Sequence, residues 1–381
     1  MRAVRITLLS ACLLLVVLLW AGCTRPSESA THLNANDHGV LTGNTGAENS
    51  RALQALIDHA AMEGKTVYIP AGEYEFAANG TQTIGSHCVK MRSGVSIVGD
   101  GERTVLKPVG HTLYGLDMFY FNDYLDTGVA TYLENCSFEH FVIDASGTSV
   151  STYTSAGKGF MFNLFQNCHW RGVTVKNTDA TGFGVDCPID SSITDCVAIG
   201  CGKAATNESS GASGFGIGFG YRDGESITIT RCTAEGNKKF GFFLEHQGRF
   251  SSQRYPATAP LGFAVRDCTA SRNLYGFGGI CTVNTVYEGC TAENSRRYGF
   301  YFEDSAASGA RQCESRGEGE ACFAVSQSIA PATPDADIFF TDCTGENAPV
   351  GLLLIGAAAT AQANGCSFTE VTEERVLQGQ H

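Results

Sequence analysis

The chain has 381 residues, 43% of them hydrophobic, and a formal net charge of −13 at pH 7. This acidic balance argues against nucleic acid or an anionic membrane face as the partner. The length is large for a single compact core. A solenoid has no such limit, because each coil contacts only its neighbours.

The first residues have the composition of an export signal. Arg2 and Arg5 precede the apolar run 6–20, which is too short for a comfortable membrane span. The run ends in Leu19-Trp20-Ala21-Gly22-Cys23, which resembles a bacterial lipobox, although Trp20 stands where that family usually has Leu. The alternative is a plain signal peptide with an incidental cysteine.

The lipobox resemblance implies a signal peptide over 1–22, lipidation of Cys23 and a polar tether over 23–34. Such a protein would be exported and held at the bacterial cell envelope, touching the membrane only through its lipid. The remaining residues, 35–381, are predicted to form one domain.

A helix, a strand and a turn are predicted where the domain begins. Asn49 or Ser50 is predicted to cap the helix, and Gly64 to end it. The apolar face of this helix carries Leu53, Leu56, Ile57 and Ala60. The segment 65–70 is predicted to be a strand.

A cysteine recurs through most of the remaining chain at a basic step of about 22 residues, which lengthens where loops are inserted. The repeating cysteines are Cys136, Cys168, Cys196, Cys232, Cys268, Cys290, Cys313, Cys343 and Cys366. This pattern predicts stacked coils with one inward cysteine in each. Parallel side chains make disulfide torsions awkward, so most thiols are predicted to be free.

Two segments carry a family resemblance. GAENSRALQALIDHAAMEGKTVYIPAGEYEF and MRSGVSIVGDGERTVLKP resemble the entry to the pectin-lyase-like superfamily. This implies an all-β, right-handed parallel β-helix whose N-terminal helix caps the first coil. The superfamily includes pectate lyases, polygalacturonases, alginate epimerases, tailspike depolymerases and non-enzymatic surface proteins, so the resemblance does not choose a reaction.

Five strands each begin with an aromatic residue followed by glycine, at Phe183, Phe215, Phe240, Tyr275 and Tyr298. When the strands are aligned on that pair, their first, third and fifth residues are predicted to face inward. The outward set then contains many glycines. Its rings and carboxylates are Phe243, Tyr301, Asp186, Glu245 and Glu303. The carboxylates recur at every second coil, about 10 Å apart.

Basic residues flank this outward strip. Lys238, Lys239, Arg296 and Arg297 precede two of the strands, and His246 follows one. The pattern predicts a long, shallow trough between the loops Lys203–Ser213 and Gln247–Pro260, and it favours an extended, anionic glycan as the partner. The residues predicted to bind this glycan are Phe243, Tyr301, Lys238, Arg296 and Arg297.

Two short motifs bear on the reaction. Phe183-Gly184-Val185-Asp186 resembles the opening of the mannuronan C5-epimerase signature YGFDPHE, whose aspartate falls on Asp186. The histidine of that signature is replaced by Pro188. Asn177-Thr178-Asp179 resembles one element of polygalacturonases, but the other elements of that family are absent.

The predicted function is binding and modification of a polysaccharide. In a hydrolase, two of Asp186, Glu245 and Glu303 would act as acid and base. In a lyase or epimerase, His246, Lys239 or Arg222 would take the proton next to the substrate carboxylate. The competing hypothesis is a non-catalytic adhesin or glycan-capture lipoprotein. No cofactor is predicted, since zinc-ligand spacing is absent. Ca²⁺, which Asp223 and Glu225 could bind, remains an alternative that no Ca²⁺-loop spacing indicates. The sequence leaves the oligomeric state open.

Overall fold

A computed structural model describes residues 31–206, 211–221, 224–247, 262–327, 338–356 and 358–378. The predicted signal peptide, the lipidation site Cys23 and the candidate base Arg222 lie outside these residues. Within them, no helix is long and apolar enough to cross a membrane.

Helix α1, Gly46–Glu63, covers the first coil. Its N-cap is Thr45, whose hydroxyl forms a capping box with Glu48, so the prediction of a cap at Asn49 or Ser50 was wrong. Those two residues are instead fully buried, and Asn49 bonds to the backbone of Leu41 and Glu75. The predicted apolar face is buried, and Gly64 ends the helix in the left-handed conformation.

Strands from successive coils pair in parallel and form three long sheets, as a right-handed parallel β-helix requires. Sheet A contains Gly85–Lys90, Leu116–Phe121, the first half of Phe160–Arg171, Phe183–Ile189, Phe215–Phe219, Phe240–His246, Tyr275–Ile280, Tyr298–Glu303, Ala321–Ser326 and the second halves of Thr344–Ile355 and Ser367–Gln378.

Sheet B contains His32–Asn34, Thr66–Tyr68, Ile97–Val98, Leu133–Glu139, the second half of Phe160–Arg171, Ser191–Thr194, Ser226–Thr230, Gly262–Arg266, Val286–Glu288, Gly309–Arg311, Ile338–Thr341 and Ala361–Asn364.

Sheet C contains Gly72–Phe76, Thr104–Thr112, Val142–Asp144, Thr174–Lys176, Val197–Ile199, Thr233–Glu235, Thr269–Ser271, Thr291–Glu293, Glu314–Arg316 and the first halves of Thr344–Ile355 and Ser367–Gln378. The smaller elements are strands Gly80–Gln82 and Gly147–Val150, helix α2 at Asp123–Thr127 and 3₁₀ turns at Ala35–His38 and Gly101–Arg103.

The core between the sheets is organised around a ladder of stacked phenylalanine rings. Its members are Phe119, Phe160, Phe183, Phe215, Phe242, Phe277, Phe300 and Phe323. Neighbouring ring centroids are 4.7–5.4 Å apart, close to the spacing of the strands. Because adjacent rings lie face to face, each pair adds about 0.5–1.5 kcal/mol to the burial of the rings themselves.

The predicted cysteine ladder is present on the inner side of one corner. A residue in the left-handed conformation precedes each of its cysteines, such as Asp195 before Cys196 and Asp267 before Cys268, and it turns the chain into the next strand. Backbone amides donate to the next thiol, at 3.4 Å from Cys196 and 3.3 Å from Cys232. All fourteen cysteines of the described residues are unbridged, as predicted.

Cys268→Ser is expected to lower the free energy of unfolding by about 1–3 kcal/mol, because it places a hydroxyl in an apolar column. Cys366→Ser, at the partly exposed end of the ladder, is the matched control and should change it by about 0.5 kcal/mol or less. Denaturant titration measures both. Rapid alkylation of native Cys268 or Cys290 would contradict the burial described here, which also raises the pKa of the Cys290 thiol.

The register of sheet A differs from the alignment on aromatic-glycine pairs. Phe215 pairs with Phe242 rather than Phe240, a shift of two residues that preserves the inward and outward faces. Phe240, Tyr275 and Tyr298 were predicted to be core residues, but they belong to a separate apolar cluster outside the phenylalanine ladder.

The glycines after these three rings explain the difference. A Cβ added at Gly276 would lie 2.6 Å from the carbonyl oxygen of Gly299, and one at Gly241 would lie 2.7 Å from that of Gly276. Only glycine allows the backbones of successive coils to approach so closely at this bend. These glycines therefore serve coil packing and do not form the floor of a trough.

Candidate functional site

A pocket of about 190 Å³ lies on the outer face of sheet A. Its floor is the strand Phe215–Phe219, whose outward residues Gly216 and Gly218 have no side chains. The strand on one side carries Asp186 opposite Gly218, and the strand on the other side carries Glu245. We call the region over these two glycines, between the flanking strands, the glycine slot. The Gln247 side chain and the Asp186 carboxyl group cover its part over Gly218.

The carboxyl group of Asp186 lies against the floor of the slot. Its Oδ1 accepts a hydrogen bond of 2.8 Å from the amide of Gly218, and the Gln247 side chain bonds to the same carboxyl group. Burial raises the pKa of Asp186, although Lys158 and these hydrogen bonds oppose the shift. Asp186 therefore keeps its proton to a higher pH than an ordinary aspartate.

Glu245 lies on the opposite side of the slot and is partly exposed. Two strand steps separate it from Asp186, which corresponds to about 9–10 Å between backbones. The corrected register places the two carboxylates in one column, with Gly218 between them. The slot therefore has one carboxylate on each side.

Lys158 supplies a positive charge to the same slot. The residue is only 9% exposed, and its stem covers Gly184, where an added Cβ would lie 2.8 Å from Lys158 Cε. Its ammonium group has no hydrogen bond or ion pair with any residue that the structure describes. A positive charge in the wall of a pocket favours binding of an anion there.

A second buried carboxylate lies next to Lys158. Asp117 Oδ1 accepts bonds of 2.8 and 2.7 Å from the amides of Gly157 and Lys158, and Gln82 donates to its other oxygen. Burial raises the pKa of Asp117 to about 6, even though the Lys158 charge and these bonds lower it. Lys158 thus acts electrostatically on both Asp117 and Asp186.

An aromatic cluster adjoins the slot on its C-terminal side. Phe243 lines the slot and stacks on Phe240, with ring centroids 4.6 Å apart. Phe240 contacts Tyr275 at 4.7 Å, and Tyr275 stacks on Tyr301 at 5.3 Å. Phe243 and Tyr301 are partly exposed, as the outward assignment predicted, while the other rings are buried.

The basic residues predicted to bind substrate lie beside this cluster. Arg297 forms a bidentate pair with Glu320 and donates to the hydroxyls of Tyr275 and Tyr298. The ammonium group of Lys239 lies 5.4 Å from the Phe240 ring centroid. Their contacts favour a role in orienting the rings.

The remaining candidates lie away from the slot lining. Arg296 donates to the carbonyl of Lys238, and both lie at a corner of the coils. Glu303 accepts a bond from Tyr301 two coils beyond Glu245. His246 packs against Phe219, and burial lowers the pKa of its imidazole. Asp179, from the polygalacturonase-like motif, is buried and paired with Lys203 at 3.3 Å.

The structure brings Asp186, Glu245 and Phe243 of the predicted strip into one pocket, together with Lys158 and Gln247, which the sequence did not predict. The signal for Lys158 was weak. It precedes the core residue Phe160 by two residues, so alternation would place it on the inward face, and the irregular stretch before that strand offers no other alignment. Within the described residues, no three His, Cys, Asp or Glu side chains are grouped so as to hold a metal ion.

A model of the family described as rhamnogalacturonase A/epimerase, pectate lyase-like, matches residues 32–301. The match covers more than half of the chain, so the protein belongs to this pectate-lyase-like family of parallel β-helix proteins.

Curated relatives include mannuronan C5-epimerases of Azotobacter vinelandii. AlgE1 is 43% identical over 76 residues, which are 19% of this chain and 5% of that protein. AlgE4 is 41% identical over 76 residues, covering 19% of this chain and 13% of that protein. The match thus spans a small fraction of the relatives' length.

Solved structures share the fold over nearly the whole chain. The A-module of A. vinelandii AlgE4 has a TM-score of 0.54 at 16% identity and covers 92% of this chain and 98% of that chain. A double mutant of the tailspike protein of E. coli bacteriophage HK620, in complex with a pentasaccharide, has a TM-score of 0.61 at 14% identity. The alignment covers 91% of this chain and 65% of the tailspike chain. At these identities the similarity shows the fold alone.

Proposed function

We propose that this protein is a polysaccharide-modifying enzyme whose reaction takes place in the glycine slot. The observation that carries the proposal is the pair of carboxylates on opposite sides of a floor made of glycine. A sugar unit over Gly216 would have the strand of Asp186 on one side and the strand of Glu245 on the other, and the Gln247 side chain would have to turn away for the sugar to reach over Gly218. Asp186, with its raised pKa, is suited to donate a proton, and Glu245 to accept one.

Hydrolysis with inversion fits this arrangement. Asp186 would protonate the leaving glycosidic oxygen while Glu245 takes a proton from a water that attacks the opposite face. Inverting carboxyl groups lie roughly 6.5–9.5 Å apart, and the separation of two strand steps falls near the upper end of that range. Glu303 lies two further steps away, too far to pair with Asp186.

Lys158 favours a second reaction, proton transfer at the carbon next to a uronate carboxylate. The ammonium group would neutralise that carboxylate, Glu245 would remove the proton, and Asp186 would return one to the opposite face, which inverts the centre. If, after Glu245 has removed the proton, the bond to the neighbouring glycosidic oxygen breaks instead and that oxygen takes the proton of Asp186, the product has an unsaturated end. The relatives named mannuronan C5-epimerases support this alternative, whereas Pro188, in place of the signature histidine, weakens it.

A panel of glycans tests the proposal. The protein is incubated with mannuronan, polygalacturonate and a neutral glucan. Reducing-end release reports hydrolysis, ultraviolet absorbance reports unsaturated ends, and NMR in deuterated water reports inversion. Binding of at least one of these glycans without turnover of any would overturn the enzyme proposal and favour a non-catalytic capture protein.

We further propose that the protein is exported and anchored to the cell envelope through lipidated Cys23. Because lipidation needs that thiol, Cys23→Ala should give an unprocessed or released protein. Membrane fractionation and intact mass measure the outcome. A variant with unchanged fractionation and mass would show that the cysteine is incidental.

A further inference from the structure

The outward residues of sheet A that lead through the slot form one column. In register order they are Gly184, Gly216, Phe243, Gly278 and Tyr301. Successive members lie one strand step apart, about 4.8 Å, which is also close to the distance between stacked rings.

Four of these five positions are covered by the protein itself. Phe243 and Tyr301 place their own rings there, and the ring of Phe240 lies over Gly278, where an added Cβ would clash with it. The stem of Lys158 covers Gly184. Over Gly216, the nearest described side chain is Thr181, whose methyl group would lie 3.1 Å from an added Cβ, and no described ring or long side chain covers this position of the stack.

The exposed stack is therefore interrupted at one position, between the face of Phe243 and the stem of Lys158. Its neighbours form a series of contacting rings along the helix axis, in which Phe243 and Phe240 come from one coil, Tyr275 from the next and Tyr301 from the one after. A ring that continued this stack would lie across the axis, with its face against Phe243.

We propose that one sugar ring fills this position by stacking on Phe243, so that the glycan crosses sheet A along the strand direction. This inference rests on the proposed function, because it assigns the orientation of the substrate in the same slot. It departs from the predicted trough along the axis. In a chain linked through opposite ends of its rings, the direction of the chain follows the ring plane, which here is transverse.

The lining of the pocket extends across the strands as well as along the axis. The pocket reaches Ser155 and Gly211 on the side where the strands begin and Gln247 on the side where they end, and its strand residues come from four successive coils. Gly211 is held there by bonds from Tyr153 at 2.8 Å and Thr181 at 3.1 Å. Tyr301, two coils beyond Phe243, does not line the pocket.

Phe243 and Tyr301 provide a matched test, because both are partly exposed and each stacks on a buried ring. The dissociation constants of hexasaccharides of mannuronate and of galacturonate are measured by calorimetry. Phe243→Ala should weaken binding roughly 3- to 10-fold, whereas Tyr301→Ala should change it less than about twofold. Equal losses in the two variants would overturn the transverse orientation and support a chain along the axis.

Gly216→Leu gives a second measurement, since its side chain would occupy the open position. It should abolish detectable hexasaccharide binding while the circular dichroism spectrum stays that of the parent. Retained binding in a folded Gly216→Leu protein would overturn the inference. Binding with the expected pattern but without turnover would refute the enzyme proposal alone. No binding of either hexasaccharide by the parent protein would overturn both.

Discussion

Glu245→Gln and Asp186→Asn are each expected to reduce turnover by about 100-fold or more while changing glycan affinity only a few-fold. The reason is that each amide keeps the shape of the carboxyl group but cannot exchange a proton at the moment of reaction. Steady-state kinetics and calorimetry with the same glycan separate the two effects. Because both residues lie at the surface of a pocket, the melting temperature should stay close to that of the parent.

Glu303→Gln is the control for this pair. Glu303 stands in the same column, two coils beyond Glu245, and its carboxylate is bonded to Tyr301 outside the slot. Its replacement should leave turnover within about twofold. A loss as large as that of Glu245→Gln would show that the reaction centre lies further along the sheet.

The pH profile follows from the raised pKa of Asp186. If protonated Asp186 is the acid, its active form is present below that pKa and is lost as pH rises through it. Turnover should therefore decline on the alkaline side, and this limb should be absent from the residual activity of Asp186→Asn. A rate that only increases with pH would exclude this role.

The sequence predicted the coils well because their inner positions repeat a physical requirement. Most coils place a small apolar residue at the corner and a ring in the ladder, and Cys268 and Phe277 do so as their neighbours do. The outward face of Asp186 and Glu245 followed from the alternation of side chains along a strand.

The register within sheet A could not be predicted from the same pattern, because the aromatic-glycine pair has two different structural roles. In Phe215-Gly216 the ring belongs to the core and the glycine faces outward. In Tyr275-Gly276 the ring lies outside and the glycine allows close approach of the next coil. Only contacts between coils distinguish these cases. A shift of two residues keeps the inward and outward faces, so the alternation of side chains could not reveal it.

Lys158→Met is expected to weaken binding of acidic hexasaccharides roughly 10- to 100-fold and to leave the affinity for a neutral one nearly unchanged. A charged hydrogen bond in a buried site contributes on this scale. The loss should shrink at high salt, because screening already weakens the attraction in the parent. The loss of stability should be modest, because Met keeps the stem that covers Gly184 and only the attraction of the ammonium group to Asp117 and Asp186 is removed.

The same substitution should move the pH profile. Lys158 lowers the pKa of Asp186, so its removal should raise that pKa further and shift the alkaline limb of turnover to higher pH. Lys176→Met is the control, because Lys176 pairs with Asp144 on sheet C at 3.3 Å and does not line the slot. Unchanged affinity of Lys158→Met for every acidic glycan would show that its charge serves only the neighbouring aspartates.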